Sequence, residues 1–186
     1  MGRYSIHTEE FIDKQIENYL ERIVEAVFQK IDKNKIKTIL LVGGFGRGEG
    51  GIILKGREIV PMNDFDVIII PSINIKKFKK EYSYIIKQLS YYLEIELPIK
   101  QIDLSIGNPW RFYLRLIPFL YTVNAYEIIH GHKILYGNFN HAIPKMLYSS
   151  KKIPLIEGTK YLYTRGSGLI IPILAKMLDI TSIEPE

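Results

Sequence analysis

Cysteine is absent from all 186 residues, which excludes disulfides, thiolate metal sites and cysteine nucleophiles. Long apolar runs are missing too. The two longest candidates, around Leu114–Val123 and Leu169–Leu178, are short and broken by Arg115, Pro118 or Pro172, so no membrane span is expected. The opening "MGRYSIHTEEF" lacks the apolar stretch of a secretory leader. No low-complexity tract occurs, and a charged fraction of 24% is ordinary, so disorder is not expected. These absences read as a cytoplasmic chain with no membrane partner.

What is present is a core-former. With 47% hydrophobic residues the chain suits one globular domain, alone or with a small appendage. The net charge of +5 and pI near 9.2 suit a phosphate-bearing partner, but many proteins without a nucleic-acid role share such values.

Periodicity lays out the elements. Phe11, Ile16, Leu20, Ile23, Val27 and Ile31 predict a helix from about Thr8 to Ile31, with Thr8 before Glu9 and Glu10 as its start signal. "KTILLVGG" is a short buried strand, "GIILKGREIV" a hairpin turning at Lys55-Gly56, and "NDFDVIII" a second strand stopped by Pro71. Ile75, Phe78, Tyr82, Ile85, Leu89 and Tyr92 define a helix from Asn74 to Leu93, and "IKQIDLSI" is a third strand. Residues 116–130 read as helix apart from Pro118, "HKILYG" as extended, and 156–178 as helix with Pro172 in conflict. The fold class expected is α+β: a small mixed sheet with helices packed on it, followed by C-terminal helices. Residues 1–140 form the core with its N-terminal helix; residues 141–186 are a helical segment that could open a second domain. The final "DITSIEPE" has no closing element, as in a frayed end or a chain that continues.

The chemistry concentrates at "ILLVGGFGRGEGGI". Gly46, Gly48 and Gly51 satisfy the dinucleotide pattern G-x-G-x-x-G, yet that motif must open a helix, and a β-like stretch follows instead. A P-loop needs a lysine and a serine or threonine after the glycines, and none follows Gly48 there. The third reading starts at "NDFDV". Asp64 and Asp66, two apart on a strand, leave one face about 6.6 Å apart along the backbone. They can converge on ions about 3.5–4 Å apart, the two-metal spacing of phosphoryl chemistry. Asp103, within the next strand, would be costly to bury without a cation nearby.

"LLVGGFGRGEG", then "NDFDV", then a lone aspartate in the next strand, resembles the DNA polymerase beta-like nucleotidyltransferase superfamily. The resemblance covers about Thr38 to Asn138 and includes the stretch "YEIIHGHKILYGN". It implies the nucleotidyltransferase fold, with Gly43 and Gly44 presenting backbone amides to a triphosphate and Gly46 in the same nucleotide-binding loop. Asp64 and Asp66 would be metal ligands, Asp103 the carboxylate that also helps deprotonate the attacking hydroxyl, and Arg47 a basic residue near the phosphates. Two ions of Mg2+ or Mn2+ and a nucleoside triphosphate follow from it. So does transfer of a nucleoside monophosphate to an acceptor hydroxyl, with release of pyrophosphate. The acceptor, whether a nucleic-acid end, a protein or a small molecule, is not legible, nor is the oligomeric state. Two departures stand out: a long gap from Gly44 to Asp64, assigned to the extra hairpin, and glycine at position 44, where serine is common. The alternative is a non-catalytic nucleotide- or partner-binding module on the same fold, regulatory or one half of a toxin–antitoxin-like pair.

Other features read as structural first. Glu49 is a helix-start charge; His130 and His132 are turn histidines; Lys76, Lys77, Lys79 and Lys80 form a solvated face. Tyr161, Tyr163 and Arg165 suit a packing helix as well as they suit a stacked base.

Overall fold

Helix α1 spans Glu10–Lys30 and buries Ile12, Ile16, Leu20, Ile23, Ala26 and Val27, in steps of three and four that make one apolar stripe. The stripe starts at Ile12, fully buried, whereas Phe11 is 43% exposed, which corrects the expected face by one residue. Nor does Thr8 cap the helix. The N-cap is Glu9, with no side-chain cap bond. The Asp13 carboxylate in the first turn is instead engaged by the preceding arm, accepting the backbone N–H of Arg3 at 2.7 Å and of Tyr4 at 3.1 Å.

The computed structural model describes residues 2–56, 58–108, 128, 131–139, 155–156, 158–159 and 162–163. After a 3-10 turn at Lys33–Lys35, strand β1 runs Ile36–Val42 and passes directly into a short helix α2, Gly43–Arg47. The hairpin follows as β2, Ile52–Lys55, and β3, Glu58–Pro61. Lys55 still pairs with Glu58, so the turn falls one residue later than expected, with Gly56 in the left-handed region at φ +65°. Strand β4 is Phe65–Pro71, helix α3 is Ile75–Glu96, β5 is Ile102–Ile106 and β6 is Lys133–Gly137.

Four of these strands form one mixed sheet in the order β5-β4-β1-β6. β1 is antiparallel to β4 and to β6, while β4 and β5 are parallel. A parallel neighbour needs a crossover, and α3 supplies it. Asn74 starts that helix, its Oδ1 accepting from the amides of Lys76 at 2.9 Å and Lys77 at 3.3 Å. The face of α3 buries Phe78, Tyr82, Ile86, Leu89 and Leu93. Leu93 takes the place expected for Tyr92, which is 51% exposed, and Ile86 is buried beside a half-buried Ile85.

Strand alternation sorts the sheet residues between two faces. Ile39 and Leu41 of β1, Phe65, Val67 and Ile69 of β4, and Ile102 and Leu104 of β5 join the core beneath α1 and α3. Leu40, Val42 and Ile70 gather on the opposite face with Phe139. The architecture is thus α+β, a small mixed sheet with helices packed on it, as expected from the sequence. Of the helices expected at 116–130 and 156–178, residues 128, 156, 158, 159, 162 and 163 are helical; the rest of both, with the boundary at 140, His130, Tyr161 and Arg165, lies outside the described residues. Among the described residues no helix is long and apolar enough to cross a membrane.

Candidate functional site

The site is built where β1 ends. Val42 pairs with Asp66 of β4, and Gly43 then turns the chain with φ +66°. A Cβ at Gly43 would collide with the Asp66 carboxylate. Glycine therefore serves twice here: it tolerates the left-handed backbone, and it leaves room for that carboxylate.

Asp66 in turn pairs with Asp103, its register partner on β5. Neighbouring strands lie about 4.8 Å apart, so two carboxylates leave adjacent points of the sheet. Their flanking residues, Phe65 and Val67 on one strand and Ile102 and Leu104 on the other, enter the core. Both aspartates consequently project from the face opposite α1 and α3. Asp66 is half-buried and Asp103 exposed.

Asp64 stands apart from this pairing. β4 begins at Phe65, so Asp64 precedes the ladder, and the register that ties Asp66 to Asp103 does not hold it. Among the described residues no three acidic or histidine side chains group closely enough to hold a metal ion. Asp66 and Asp103 are thus in register beside Gly43, with Asp64 two residues before Asp66 at the entry to β4.

The remaining loop residues separate by environment. A Cβ at Gly44 would meet the Glu49 carbonyl oxygen and Gly50 Cα at 3.9 Å and the Asn63 Cγ at 4.0 Å, ordinary van der Waals contacts that a methyl group would make without a clash. At Gly46 a Cβ would lie 2.7 Å from the carbonyl oxygens of Leu41 and Gly131, so this glycine is required for packing α2 against the sheet. Arg47 is half-buried, and its Nε donates to Glu49 at 2.8 Å, which gives Glu49 a structural role. The dinucleotide pattern dissolves in this geometry: Gly46 lies within α2, Gly48 is its left-handed cap at φ +82°, and Gly51 leads into β2, not into a helix.

Two contributors escaped the sequence reading. Asn63 accepts the Gly51 N–H through Oδ1 at 2.6 Å, binding the end of the glycine segment to the approach of β4. The N-terminal arm lies against the same segment: Tyr4 carbonyl accepts the Gly50 N–H at 3.0 Å, and Ser5 bridges Gly50 in parallel. The arm is pinned by an Arg3–Glu17 ion pair. Burial pushes the Tyr4 hydroxyl up to about 12, and burial followed by repulsion from Arg3 pushes Lys133 below the usual lysine range. The Asn in "NDFDV" was the available signal for Asn63; nothing local announced the arm.

The side features follow their structural readings. His132 has Nδ1 2.7 Å from the Ile128 carbonyl and its ring edge-on to Phe139. Lys76, Lys77, Lys79 and Lys80 are exposed around the buried Phe78, as a solvated face requires, and Tyr163 is exposed.

No family model and no curated protein sequence matches the chain. Among solved structures, a crystal structure of the toxin–antitoxin MntA-HepT shares 14% identity at a TM-score of 0.38, covering 86% of this chain and 99% of that one. The toxin–antitoxin with AMP-PNP shares 16% identity at a TM-score of 0.39, covering 86% and 98%. A MntA-HpeT mutant shares 17% identity at 0.39, covering 83% and 97%. These likenesses are too loose to carry a residue, ligand or partner across to this chain.

Proposed function

We propose that the chain is a nucleotidyltransferase that moves a nucleoside monophosphate from a triphosphate to an acceptor hydroxyl. The observation that supports it is the juxtaposition of Gly43, Asp66 and Asp103: a bare turn, and two carboxylates in register on neighbouring strands. The donor set suits a hard cation. Mg2+ is commonly held by one or two protein carboxylates, with waters and substrate phosphates completing its shell. Asp66 and Asp103 would hold such an ion, with Asp64 next in line, and the ion would neutralise charge on the phosphates.

The chain's own groups then have defined work. The backbone amides at Gly43 and Gly44 serve as donors to the triphosphate, with the Asp66 carboxylate, and any cation on it, filling the place of a Gly43 side chain. Asp103, exposed at the edge of the pair, takes the proton of the acceptor hydroxyl. The hydroxyl oxygen bonds to the α-phosphorus as the bridge to the β-phosphate breaks, and pyrophosphate carries away the bonding electrons.

Incubation with Mg2+ or Mn2+ and each of the four labelled nucleoside triphosphates, with cell extract as the acceptor source, tests the reading. Pyrophosphate release or a labelled acceptor, lost in Asp66→Asn and Asp103→Asn, is the expected result. No turnover under either metal removes it.

The second reading is a non-catalytic nucleotide- or partner-binding module on the same fold. Triphosphate binding indifferent to chelators would select that module.

A further inference from the structure

Asn63 sits between the glycine segment and the acidic strand. Its Oδ1 accepts the Gly51 N–H at 2.6 Å, and the Gly51 carbonyl accepts the Met62 N–H at 2.9 Å, so the two segments are clamped together. That bond also orients the carboxamide. With the oxygen turned to an N–H donor, the Nδ2 amine is directed elsewhere and carries two donor hydrogens. None of the described residues accepts from it. The carboxamide carbon lies 4.0 Å from the point a Cβ at Gly44 would occupy, so the amide is in van der Waals reach of that glycine. A neutral donor suits this position. A lysine or arginine beside Asp64 and Asp66 would pair with those carboxylates and compete with a cation for them.

We propose that Asn63 is a phosphate-binding residue: its Nδ2 donates to an oxygen of the triphosphate chain lying over Gly43 and Gly44. This rests on the nucleotidyltransferase reading and adds to it a side-chain contact that the glycines cannot make.

The test is calorimetric titration with the magnesium complexes of ATP, GTP, CTP and UTP in turn, on wild type, Asn63→Asp, Asn63→Ala and Asp66→Asn. Asn63→Asp keeps the shape and the acceptor for the Gly51 N–H but trades the donor for a negative charge, so it is read together with Asn63→Ala, which removes the donor without adding charge; a donor role weakens binding in both. The expected result is an unaltered melting temperature with affinity weakened at least about tenfold, the scale of a hydrogen bond to a charged group. Asn63→Ala, read by the same titration, decides the matter if the aspartate variant does not fold, and Gly44→Ser in that background should recover part of the loss. Wild-type affinity in either Asn63 variant, with Asp66→Asn impaired, overturns this inference and leaves the transferase reading standing. A wild type that binds no triphosphate removes both.

Discussion

The Asp66 carboxylate occupies the space in which a side chain at Gly43 would lie. The acidic strand and the glycine turn are therefore one packed unit, and a change to either is felt by the other.

Gly43→Ala should destabilise the fold by about 1–3 kcal/mol, from the left-handed backbone and the displaced carboxylate together. Gly44→Ala, one residue on and with only van der Waals contacts for its methyl group, should stay within about 0.5 kcal/mol. Denaturant melts of the two variants make the comparison, and equal losses would remove the steric account of Gly43.

Asp66→Asn and Asp103→Asn should each reduce nucleotidyl transfer on the order of 10²–10³-fold, matching several kcal/mol of charge stabilisation at the reacting phosphate. Because the two residues face each other across one ladder, the double variant should lose far less than the product of the single losses. Strict additivity in a rate cycle would show that they act at separate places.

Tyr4 gives a pH dependence with a definite sign. Its hydroxyl has a folded value of about 12, raised by burial from the ordinary 10.0. The folded state holds the proton where the unfolded chain gives it up, so stability falls as pH rises from 10 towards 12 and is unaffected below that window. Tyr4→Phe should flatten part of that fall in melts at pH 9 and pH 11, values that bracket the onset. An unchanged profile would place the Tyr4 hydroxyl in solvent.

The phase of α1 can be tested by truncation. Ile12→Ala should cost about 2–5 kcal/mol and Phe11→Ala less than about 1 kcal/mol, since the first side chain is enclosed and the second faces water. A larger loss at Phe11 would return the helix to the phase its spacing first suggested.

Much of the fold was legible because its strands are strongly marked: "TILLV" and "DVIII" are apolar runs of strand length, and Asn74 is a cap residue before an apolar stripe. Helix phase was less secure, since Phe11 and Ile12 both fit a 3.6-residue period and only packing chooses between them. The glycines show the limit most clearly. Gly43, Gly44 and Gly46 look alike in sequence, yet one makes room for a carboxylate, one would accept a methyl group in ordinary contact and one admits two carbonyl oxygens. Asp103 was a candidate from its strand alone; its partnership with Asp66 needed the parallel register that α3 creates. Asp13 holding Arg3 and Tyr4 has no local signature, because the bonds span ten and nine residues.

That arm has a practical consequence. Since Tyr4 is stitched to Gly50, a few residues beyond Asp66's neighbour Gly43, a bulky fusion placed ahead of Arg3 strains the glycine segment that follows β1. Purification handles at the front of the chain should therefore lower its melting temperature by loosening the Tyr4–Gly50 bond.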